Sequence, residues 1–433
     1  MTAQTPSRAG LLLLAFLTFL NVLNFVDRQL IAGLAPLLMA DLGLTRAQIG
    51  LLSGFAFVLV YTLAGLLLGT AADRISRPRL IAAGLVVWSA ATALSGAARH
   101  FGHLVSARML VGVGEATLTP AALSMLAEVL PTTWLARAGG IYYAGVSIGA
   151  GLSLIISGLL APRFGWRFCF VSLGVVGVAV AGAVLALRDP RAGRARGDGG
   201  RPGGAAGHRP GAPAPFLADL GHVLARLRTG PALALALAGG VLVTYAAASA
   251  VHSVTWLVQE RGYGFRQAAL TAGVIYAAAG LCGNVFGGWF ADWCEQRWTG
   301  GRVGSMAIVV AALLPFNLLF LTLAPGTLLF HVSWFLSVVS ATAWYGPLFA
   351  TAQDLVPARV RSTSIAFLML VINVLGVGLG PWVTGLVGDR SSLTRGLLVA
   401  AVVGGLAVVP FAVGARRYAA DRAGALEAGS GSG

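Results

Sequence analysis

Long apolar runs recur along almost the whole chain and limit what it can fold into. From Leu11 nearly to the C-terminus, stretches of roughly 20 apolar residues, enough to cross the hydrocarbon core of a bilayer, alternate with short turns that carry Arg, Gly or Pro. Twelve such runs occur in the 433 residues, and only 10% of all residues are charged, too few to cover a soluble surface of this size. The sequence therefore predicts an all-α membrane protein with twelve transmembrane helices.

The distribution of the basic residues predicts the orientation. All thirty basic residues are arginine, and the formal net charge is +15, which in a soluble protein would suggest a nucleic-acid partner. With the N-terminus in the cytoplasm, eight arginines lie outside, Arg28 and Arg108 lie inside spans, and the other twenty face the cytoplasm. This asymmetry predicts a multi-pass protein of the cell (inner) membrane, surrounded by lipid bilayer, with both termini cytoplasmic and no nucleic-acid partner.

A segment rich in Gly, Pro and Arg separates two sets of six spans. It lacks the apolar residues needed to bury a core, and the helical spacing of apolar residues from Phe216 onward predicts a short helix on the membrane surface. The sequence predicts four parts: a six-helix bundle over 1–187, a cytoplasmic linker with an interfacial helix over 188–230, a second six-helix bundle over 231–416, and a cytoplasmic tail over 417–433. The Gly-Ser end of this tail is typical of a cloning remnant.

Landmarks of the first half recur in the second. The segment Gly69–Asp73 at the end of the second span corresponds to Gly288–Asp292 at the end of the eighth, and Pro131 before the fifth span corresponds to Pro357 before the eleventh at nearly the same offset. The shared offset predicts two pseudo-symmetric bundles. Parallel six-span repeats with a site near the bilayer midplane between them are a transporter design in which the halves rock. Transport of a small molecule is therefore the predicted function.

Ionisable side chains inside the first and fourth spans predict the site. Each costs roughly 2.5 to 3.5 kcal/mol to insert, so it needs a partner or a wet cavity. Two acids and two arginines sum to zero, which favours a mutually compensated cluster that faces the bundle interior. The stripes at helical spacing are Asn21, Asn24, Asp27 and Arg28 in the first span and Arg108, Gly112, Glu115 and Thr119 in the fourth.

The chemistry of this cluster suggests roles for its members. Arginine suits phosphate or carboxylate groups, so Arg28 and Arg108, with Asn24 and Thr119, are candidate substrate-binding residues. Burial raises the pKa of a carboxyl group and a nearby arginine lowers it, so the two acids, Asp27 and Glu115, are candidate proton carriers. Our hypothesis is that Glu115 releases its proton on one side and pairs with an arginine for which the substrate anion competes. The alternative is that the charges only hold the two spans together, above all Arg108.

Several segments resemble a known family. Gly69–Arg77 resembles the loop signature of the major facilitator superfamily, with Ser76 in place of its usual glycine, and Gly165–Arg167 resembles the start of its sixth span. Three segments of the first half resemble the spinster-like branch: Asn24–Gln29, Gln48–Gly54 and Arg108–Ala116. This resemblance implies a secondary active transporter, proton-linked or facilitative, for amphiphiles similar to lysophospholipids or sphingosine phosphate. It also implies a monomer.

The loop that carries the superfamily signature has a mechanical interpretation. Gly69 allows close approach of helices, and Asp73, Arg74 and Arg77 can pair or cap helix ends at a cytoplasmic gate. Asp292 is expected to play the matching part in the second half. We therefore predict a gating role for these residues.

The second half offers weaker cavity candidates, which are His252, Trp256, Tyr345 and Asn373. Packing or an interfacial aromatic belt explains them equally well. Charges concentrated in the first half and an apolar second half suit a cargo with a charged head and a greasy tail.

Other classes of protein fit less well. Gly145–Gly149 matches a nucleophile elbow and Gly376–Gly380 resembles a dinucleotide loop, but both lie inside predicted spans, where glycines favour close helix packing. The chain has no Walker motif and no lysine, and its three cysteines lie within or at the end of spans, so we predict no enzyme, cofactor or metal site. A proton antiporter for amphipathic drugs or an organic-anion symporter is the alternative within transport. A receptor or scaffold would not need paired charges in the membrane.

Overall fold

The fold is built from membrane-length helices. The computed structural model describes residues 5–71, 75–187, 189–190, 216–356 and 360–430, and in this part of the chain no residue lies in a β-strand. Eleven helical stretches among them are long and apolar enough to cross a membrane. The one that contains helix Leu135–Leu185 is interrupted at Gly165, where φ is 81° and ψ is 164°, so it forms two spans. The predicted all-α architecture with twelve spans is confirmed.

The spans are numbered in chain order, and several consist of two helices in line. The first six are span 1, Arg8–Leu42; span 2, Arg46–Ser53 and Phe55–Ala71; span 3, Arg77–Ser95; span 4, Phe101–Glu115 and Leu118–Val129; and spans 5 and 6, Leu135–Leu185 on either side of Gly165. The last six are span 7, Pro231–Ser249 and Ser253–Glu260; span 8, Phe265–Arg297; span 9, Gly301–Thr322; span 10, Leu328–Ala343 and Tyr345–Leu355; span 11, Arg361–Val371, the π-helical turn Ile372–Gly378 and Leu379–Arg390; and span 12, Leu393–Gly405 and Val408–Ser430.

Local signals at the helix ends explain the boundaries of the first spans. The Ser7 hydroxyl accepts a hydrogen bond from the backbone N–H of Gly10 at 3.1 Å and caps span 1. Span 1 ends at Gly43, whose φ of 63° suits a residue without a side chain. Thr45 and Gln48 then form a reciprocal capping box that starts span 2.

The helix after the Gly- and Pro-rich segment occupies Phe216–Thr229, where the spacing of apolar residues predicts one. Its Val223 is buried, and the helix packs against spans 7 and 11. The segment 191–215, which contains most of the predicted linker, lies outside the described residues.

One compact unit comprises Met1–Gly203 together with Val251–Ala278. Leu30, Ile49 and Phe170 are among the fully buried residues of its core. The second range, the end of span 7 and the first part of span 8, belongs to this unit although it follows the predicted linker in sequence.

Glycines let the helices of this unit approach closely. A Cβ atom added to Gly149 would lie 2.5 Å from the Val22 carbonyl oxygen of span 1, and one added to Gly174 would lie 2.5 Å from the Ser89 carbonyl oxygen of span 3. Gly145 faces span 1 in the same way. The interpretation of Gly145 and Gly149 as packing residues inside a helix, and not a nucleophile elbow, is therefore confirmed.

The other compact unit comprises Gly204–Ala250 and Ala279–Gly433. Met306, Leu348 and Phe411 are among the buried residues of its core. In span 11 the π-helical turn Ile372–Gly378 coincides with the run of glycines. A Cβ atom at Gly376 would lie 2.7 Å from the Thr244 Cβ atom of span 7, so this run also serves helix packing and not dinucleotide binding.

Candidate transport site

The structure brings the charges of spans 1 and 4 together through one ion pair. Arg28 donates from Nε and Nη2 to the same oxygen of Glu115, Oε2, at 3.0 and 2.8 Å. The Glu115 side chain is fully buried, whereas 21% of the Arg28 side chain remains exposed. The carboxylate of the pair is therefore inaccessible to solvent, whereas part of the guanidinium remains accessible.

Three aromatic rings surround the Arg28 guanidinium. Its central carbon lies 4.6, 4.5 and 4.7 Å from the ring centroids of Phe25, Phe57 and Tyr61, which we call the aromatic cage. Cation–π contacts of this kind stabilise a desolvated cation by about 2 kcal/mol. Span 2 can bring Phe57 and Tyr61 this close because Gly112 of span 4 has no side chain: a Cβ atom there would lie 3.0 Å from the Phe57 carbonyl oxygen.

Arg108 makes different contacts. It is 2% exposed and donates from Nη2 to the Arg28 carbonyl oxygen at 3.1 Å and from Nε to the Leu52 carbonyl oxygen at 3.5 Å. Its guanidinium lies 5.0 Å from the centroid of Phe57, the ring it shares with Arg28. No ion pair of Arg108 is present among the described residues. Its contacts connect the backbones of spans 1 and 2 to span 4.

Asp27 is the buried acid of the cluster that forms no ion pair with another described residue. It is 1% exposed, and neither of its carboxylate oxygens accepts a hydrogen bond within the described part of the chain. Asn24 is 4% exposed and its Nδ2 atom is also unpaired there. The structure thus differs from the expected mutual compensation of four charges, because only Arg28 and Glu115 form an ion pair.

Neutral polar contacts border the cluster on span 5. Asn21 donates from Nδ2 to the Tyr142 carbonyl oxygen at 2.8 Å, and the Thr119 hydroxyl lies 3.2 Å from the Tyr142 hydroxyl. Tyr142 is fully buried. The predicted residue Thr119 is therefore linked to span 5 and forms no described hydrogen bond to Arg28.

A second network joins the ends of spans 3, 4 and 6. Arg77, which is fully buried, donates from Nη1 and Nη2 to the two carboxylate oxygens of Glu128 at 2.8 and 2.9 Å, and from Nη2 to Asp189 at 2.6 Å. The backbone N–H of Arg77 also donates to Asp189, at 3.0 Å, and so the first turn of span 3 is capped from outside its own chain segment. Of the other loop residues, Gly69 lies near the end of span 2, whereas Asp73 and Arg74 lie outside the described residues.

The second half repeats this network. Arg302 corresponds to Arg77 and pairs with Asp354, which corresponds to Glu128. Arg302 also pairs with the predicted residue Asp292, at 3.2 Å. Both correspondences have nearly the same offset along the chain as the two prolines that precede spans 5 and 11, so the duplication extends to the ion pairs.

The third partner differs between the two networks. In place of a carboxylate at the end of span 6, span 12 supplies Tyr418, whose hydroxyl donates to Asp354 at 3.0 Å, and Arg422, which pairs with Glu295. Glu295 in turn accepts from the backbone N–H of Arg302 at 3.1 Å.

The weaker candidates make contacts of their own. His252 and Trp256 are fully buried at the break of span 7, and the Arg261 guanidinium lies 4.6 Å from the Trp256 ring centroid. Tyr345 and Asn373 are partly buried, and the Tyr345 hydroxyl lies 3.4 Å from the Met369 sulfur. A role for these four residues in a transport cavity stays a prediction.

Sequence reasoning missed several residues of both networks. Phe57 and Tyr61 are four residues apart on span 2 and so lie on one helix face, a spacing that would have indicated a cage beside an intramembrane arginine. Arg302 could have been found from its offset to Arg77. For Asp189, which follows span 6 at the edge of the Gly- and Pro-rich segment, the sequence offers no comparable signal.

A family model of the Major Facilitator Superfamily matches residues 17–381 of the chain. The chain belongs to the Major Facilitator Superfamily. Proteins of this superfamily transport small solutes across membranes and are not enzymes, so the chain is a multi-pass membrane transporter. The superfamily predicted from the loop signature is confirmed.

Relatives within the superfamily differ in what they carry. An MFS-type efflux pump of Mycolicibacterium smegmatis is 29% identical over 384 residues, which are 88% of this chain and 84% of the relative. A hexuronate transporter of Bacillus subtilis is 27% identical over 423 residues, or 93% of each chain. Protein spinster homolog 1 of Homo sapiens is 26% identical over 414 residues, 90% of this chain and 75% of the relative.

A solved structure shares the fold over nearly the whole length. The crystal structure of a bacterial homolog to the human lysosomal transporter spinster, inward-facing and unoccupied, superposes with a TM-score of 0.80 at 22% identity and covers 96% of this chain and 99% of the other. Together with the spinster relatives, this confirms the predicted resemblance to the spinster-like branch.

Proposed function

We propose that this transporter is a proton-coupled secondary carrier that works by alternating access and moves an anionic amphiphile similar to a lysophospholipid or sphingosine phosphate. The observation that carries the proposal is the geometry of Arg28, a half-open cation held by one buried carboxylate and three aromatic rings. An arginine in this position can accept a phosphate or carboxylate of the cargo on its exposed side.

Competition for Arg28 supplies the coupling. Both donors of Arg28 that reach Glu115 end on one oxygen, so a substrate anion that binds the guanidinium weakens the hold on this carboxylate. An ionised carboxylate that loses its counter-ion inside a membrane protein is unstable, and taking up a proton removes the charge. Substrate binding thus favours protonation of Glu115, and substrate release favours its deprotonation.

Asp27 serves as the second proton carrier. Its oxygens are buried without hydrogen-bond partners among the described residues, an arrangement that suits a neutral carboxyl group better than an ionised one. Asp27 is adjacent in sequence to Arg28, the partner of Glu115. A change in the Arg28–Glu115 pair therefore changes the field at Asp27. We assign Arg108 to holding the spans and not to the cargo, because its donors end on backbone carbonyls.

The aromatic cage supports an amphiphilic cargo. The rings of Phe25, Phe57 and Tyr61 offer apolar surface directly beside the positive charge, which fits a ligand whose anionic head is attached to an apolar body. The similarity to spinster proteins is consistent with this class of cargo, since the resemblance implies it. A sugar carrier would call for more carboxamides and hydroxyls in both halves.

The arginine asymmetry supports an inner-membrane protein with both termini in the cytoplasm. In this orientation the Arg77 network and the Arg302 network, each within its own compact unit, lie at the cytoplasmic ends of their spans, where we assign each of them a gating role. Breaking these ion pairs accompanies opening to the cytoplasm, and the transporter acts as a monomer.

Efflux of amphipathic drugs or symport of an organic anion is the second candidate. It is favoured by two relatives that match more than four fifths of both chains, an efflux pump and a hexuronate transporter. The hexuronate transporter shows that a chain of this length and similarity can carry an anion without a greasy tail.

Uptake into proteoliposomes tests the proposal. The probe is a fluorescent lysophosphatidic acid, offered with and without an imposed pH gradient to wild type, Glu115→Gln and Asp27→Asn. Glu260→Gln is the matched control, because Glu260 also lies 3.9 Å from an arginine, Arg46, but outside the cluster. We expect gradient-driven uptake in wild type and control and its loss in both cluster variants. Uptake of hexuronate or of a cationic drug in place of the lipid would establish the second candidate, and gradient-independent uptake would refute proton coupling.

A further inference from the structure

Aromatic rings form a continuous row along the last third of span 8. The rings of Phe286 and Phe290 are stacked with their centroids 5.5 Å apart, and those of Phe290 and Trp293 are stacked at 5.9 Å. Trp298, directly after the span, meets Trp293 edge-on at 5.3 Å. We call these four residues the aromatic row. Phe286 is 39% and Trp298 is 45% exposed, so both ends of the row are accessible.

Span 8 packs against span 10 through a different stripe of the helix. Gly283 and Gly287 are buried there, and an added Cβ atom would overlap the Thr342 hydroxyl oxygen and the Ala343 carbonyl oxygen. The first three rings of the row are spaced four and three residues apart and form a separate stripe. The close packing of the two spans therefore uses the glycines and leaves the row available for another contact.

A cation lies over the row near its charged end. The guanidinium carbon of Arg297 is 4.8 Å from the Trp293 ring centroid, and the side chain is exposed. Arg297 forms no ion pair with another described residue. The acids nearest to it in sequence, Asp292 and Glu295, each pair with a different arginine. The charge of Arg297 is therefore not neutralised by the described part of the protein.

The length of the row matches one leaflet of a bilayer. Arg297 follows Phe286 by eleven positions, which corresponds to about 16 Å along a helix. One leaflet contributes half of the hydrocarbon core, or about 15 Å. An interfacial aromatic belt lies at the level of the lipid head groups. The row instead continues from the charged end of the span into the hydrocarbon layer, so a belt alone does not account for it.

We propose that the aromatic row and Arg297 form a binding site for an anionic phospholipid of the bilayer, with the lipid phosphate on Arg297 and an acyl chain along the rings. Charge complementarity selects an anionic lipid, because the planar fork of arginine suits a phosphate group and stacking on the ring of Trp293 orients it. The rings offer a rigid apolar surface to the chain. In the proposed orientation of the transporter, this site belongs to the cytoplasmic leaflet.

The lipid site goes beyond the proposed function. The row lies in the second compact unit, whereas the charge cluster of spans 1 and 4 lies in the first. Binding of a bilayer lipid to the row therefore does not depend on which cargo the transporter carries or on whether protons are coupled to it. Its test can be made without a transport assay.

Lipid binding to the purified full chain in detergent is that test. Native mass spectrometry compares phosphatidylglycerol with phosphatidylcholine of the same acyl chains for wild type, Arg297→Gln and Phe290→Leu. We expect wild type to bind phosphatidylglycerol more tightly than phosphatidylcholine. Arg297→Gln should weaken phosphatidylglycerol binding about fivefold and leave phosphatidylcholine binding unchanged. Phe290→Leu should weaken the binding of both lipids, because it interrupts the row.

The chain offers matched controls for both substitutions. Arg79→Gln removes another exposed arginine near the end of a span. Phe168→Leu removes an exposed ring from a different pair, in which the centroids of Phe164 and Phe168 are 4.7 Å apart. Both controls should bind the two lipids like wild type. Arg297→Lys keeps the charge without the planar fork and should retain part of the preference for phosphatidylglycerol.

Two results would overturn the proposal. Equal affinity of wild type for the two lipids, or unchanged phosphatidylglycerol binding in Arg297→Gln, would reduce the row to an interfacial belt. If lysophosphatidic acid bound more tightly than phosphatidylglycerol and lost this advantage in Arg297→Gln, the row would be a site for the cargo and not for a bilayer lipid.

Quenching of tryptophan emission locates the bound lipid. Three of the ten tryptophans of the chain lie in or beside the row: Trp289, Trp293 and Trp298. In phosphatidylcholine vesicles, a minor fraction of phosphatidylglycerol with brominated chains should quench wild-type emission more than the same fraction of brominated phosphatidylcholine. The excess should disappear in Arg297→Gln and persist in Arg79→Gln. Equal quenching of wild type by the two brominated lipids would contradict the site even if no variant folded.

Discussion

The proposed competition between an anionic cargo and the Glu115 carboxylate for Arg28 leads to a prediction that is unusual for a binding-site substitution. Replacing Glu115 by Gln should make the protein bind an anionic amphiphile more tightly. Glu115 holds two donors of Arg28, at 3.0 and 2.8 Å, and both end on the oxygen that Gln would retain as a carboxamide oxygen. The substitution thus removes the charge of the competitor and leaves the shape of the site nearly unchanged.

The magnitude follows from the two hydrogen bonds. A hydrogen bond that involves a charged group contributes about 1.5 to 3 kcal/mol, and charge assistance accounts for roughly half of this. Loss of that half from two bonds weakens the hold on Arg28 by about 2 kcal/mol, equivalent to about thirty-fold in the dissociation constant of a competing anion.

Equilibrium binding of fluorescent lysophosphatidic acid to the protein in nanodiscs measures this change at neutral pH. Glu260→Gln should bind like wild type, and Arg28→Lys should bind more weakly because an ammonium group cannot present the planar fork of arginine. Tighter binding in Glu115→Gln should be accompanied by loss of stimulation by a pH gradient. If Glu115→Gln binds the lipid no more tightly than wild type does, cargo and carboxylate do not compete for Arg28.

Three further substitutions test the surroundings of the site. Phe57→Ala removes the ring shared by two guanidinium groups, and lysophosphatidic acid binding should weaken about threefold to tenfold in the same nanodisc assay. Arg77→Ala leaves two carboxylates without their buried partner and should lower the stability of the protein by about 3 to 5 kcal/mol. After mild heating, this variant should no longer elute as a monodisperse peak in size-exclusion chromatography. Arg137→Ala, in which the lost guanidinium is exposed and faces a tryptophan ring, should elute normally. Gly149→Val forces a side chain against the backbone of span 1 and should lower thermal stability by about 1 to 3 kcal/mol, while Gly139→Val, where nothing lies within 4 Å, should melt like wild type.

The fold could be predicted from the sequence because membrane spans are set by length and hydropathy. Apolar runs and the break before Trp166 are local signals, and the structure follows them. The duplication was visible at Pro131 and Pro357 for the same reason, since equal offsets need no three-dimensional information.

The pairing within the site could not be predicted to the same degree. Helical spacing placed Asp27, Arg28, Arg108 and Glu115 on two facing stripes, but an arginine side chain is long enough to reach several partners. Which acid it selects depends on helix rotation and on what else fills the space. The rings of span 2 occupy that space, and they favour Arg28 for Glu115 while Arg108 turns to backbone carbonyls.

Gly112 and Gly114 of span 4 allow two different neighbours, span 2 and span 3, to pack closely against it. The two positions therefore affect how the binding site of such a carrier can change. Because the two positions lie about 200° apart around the helix, enlarging one pushes span 4 toward the neighbour held by the other. Changes at these two positions can therefore reshape the aromatic cage or displace Trp88 of span 3 while every charged residue stays in place. A different cargo site can therefore form around an unchanged charge cluster by adding or removing methyl groups at these two glycines.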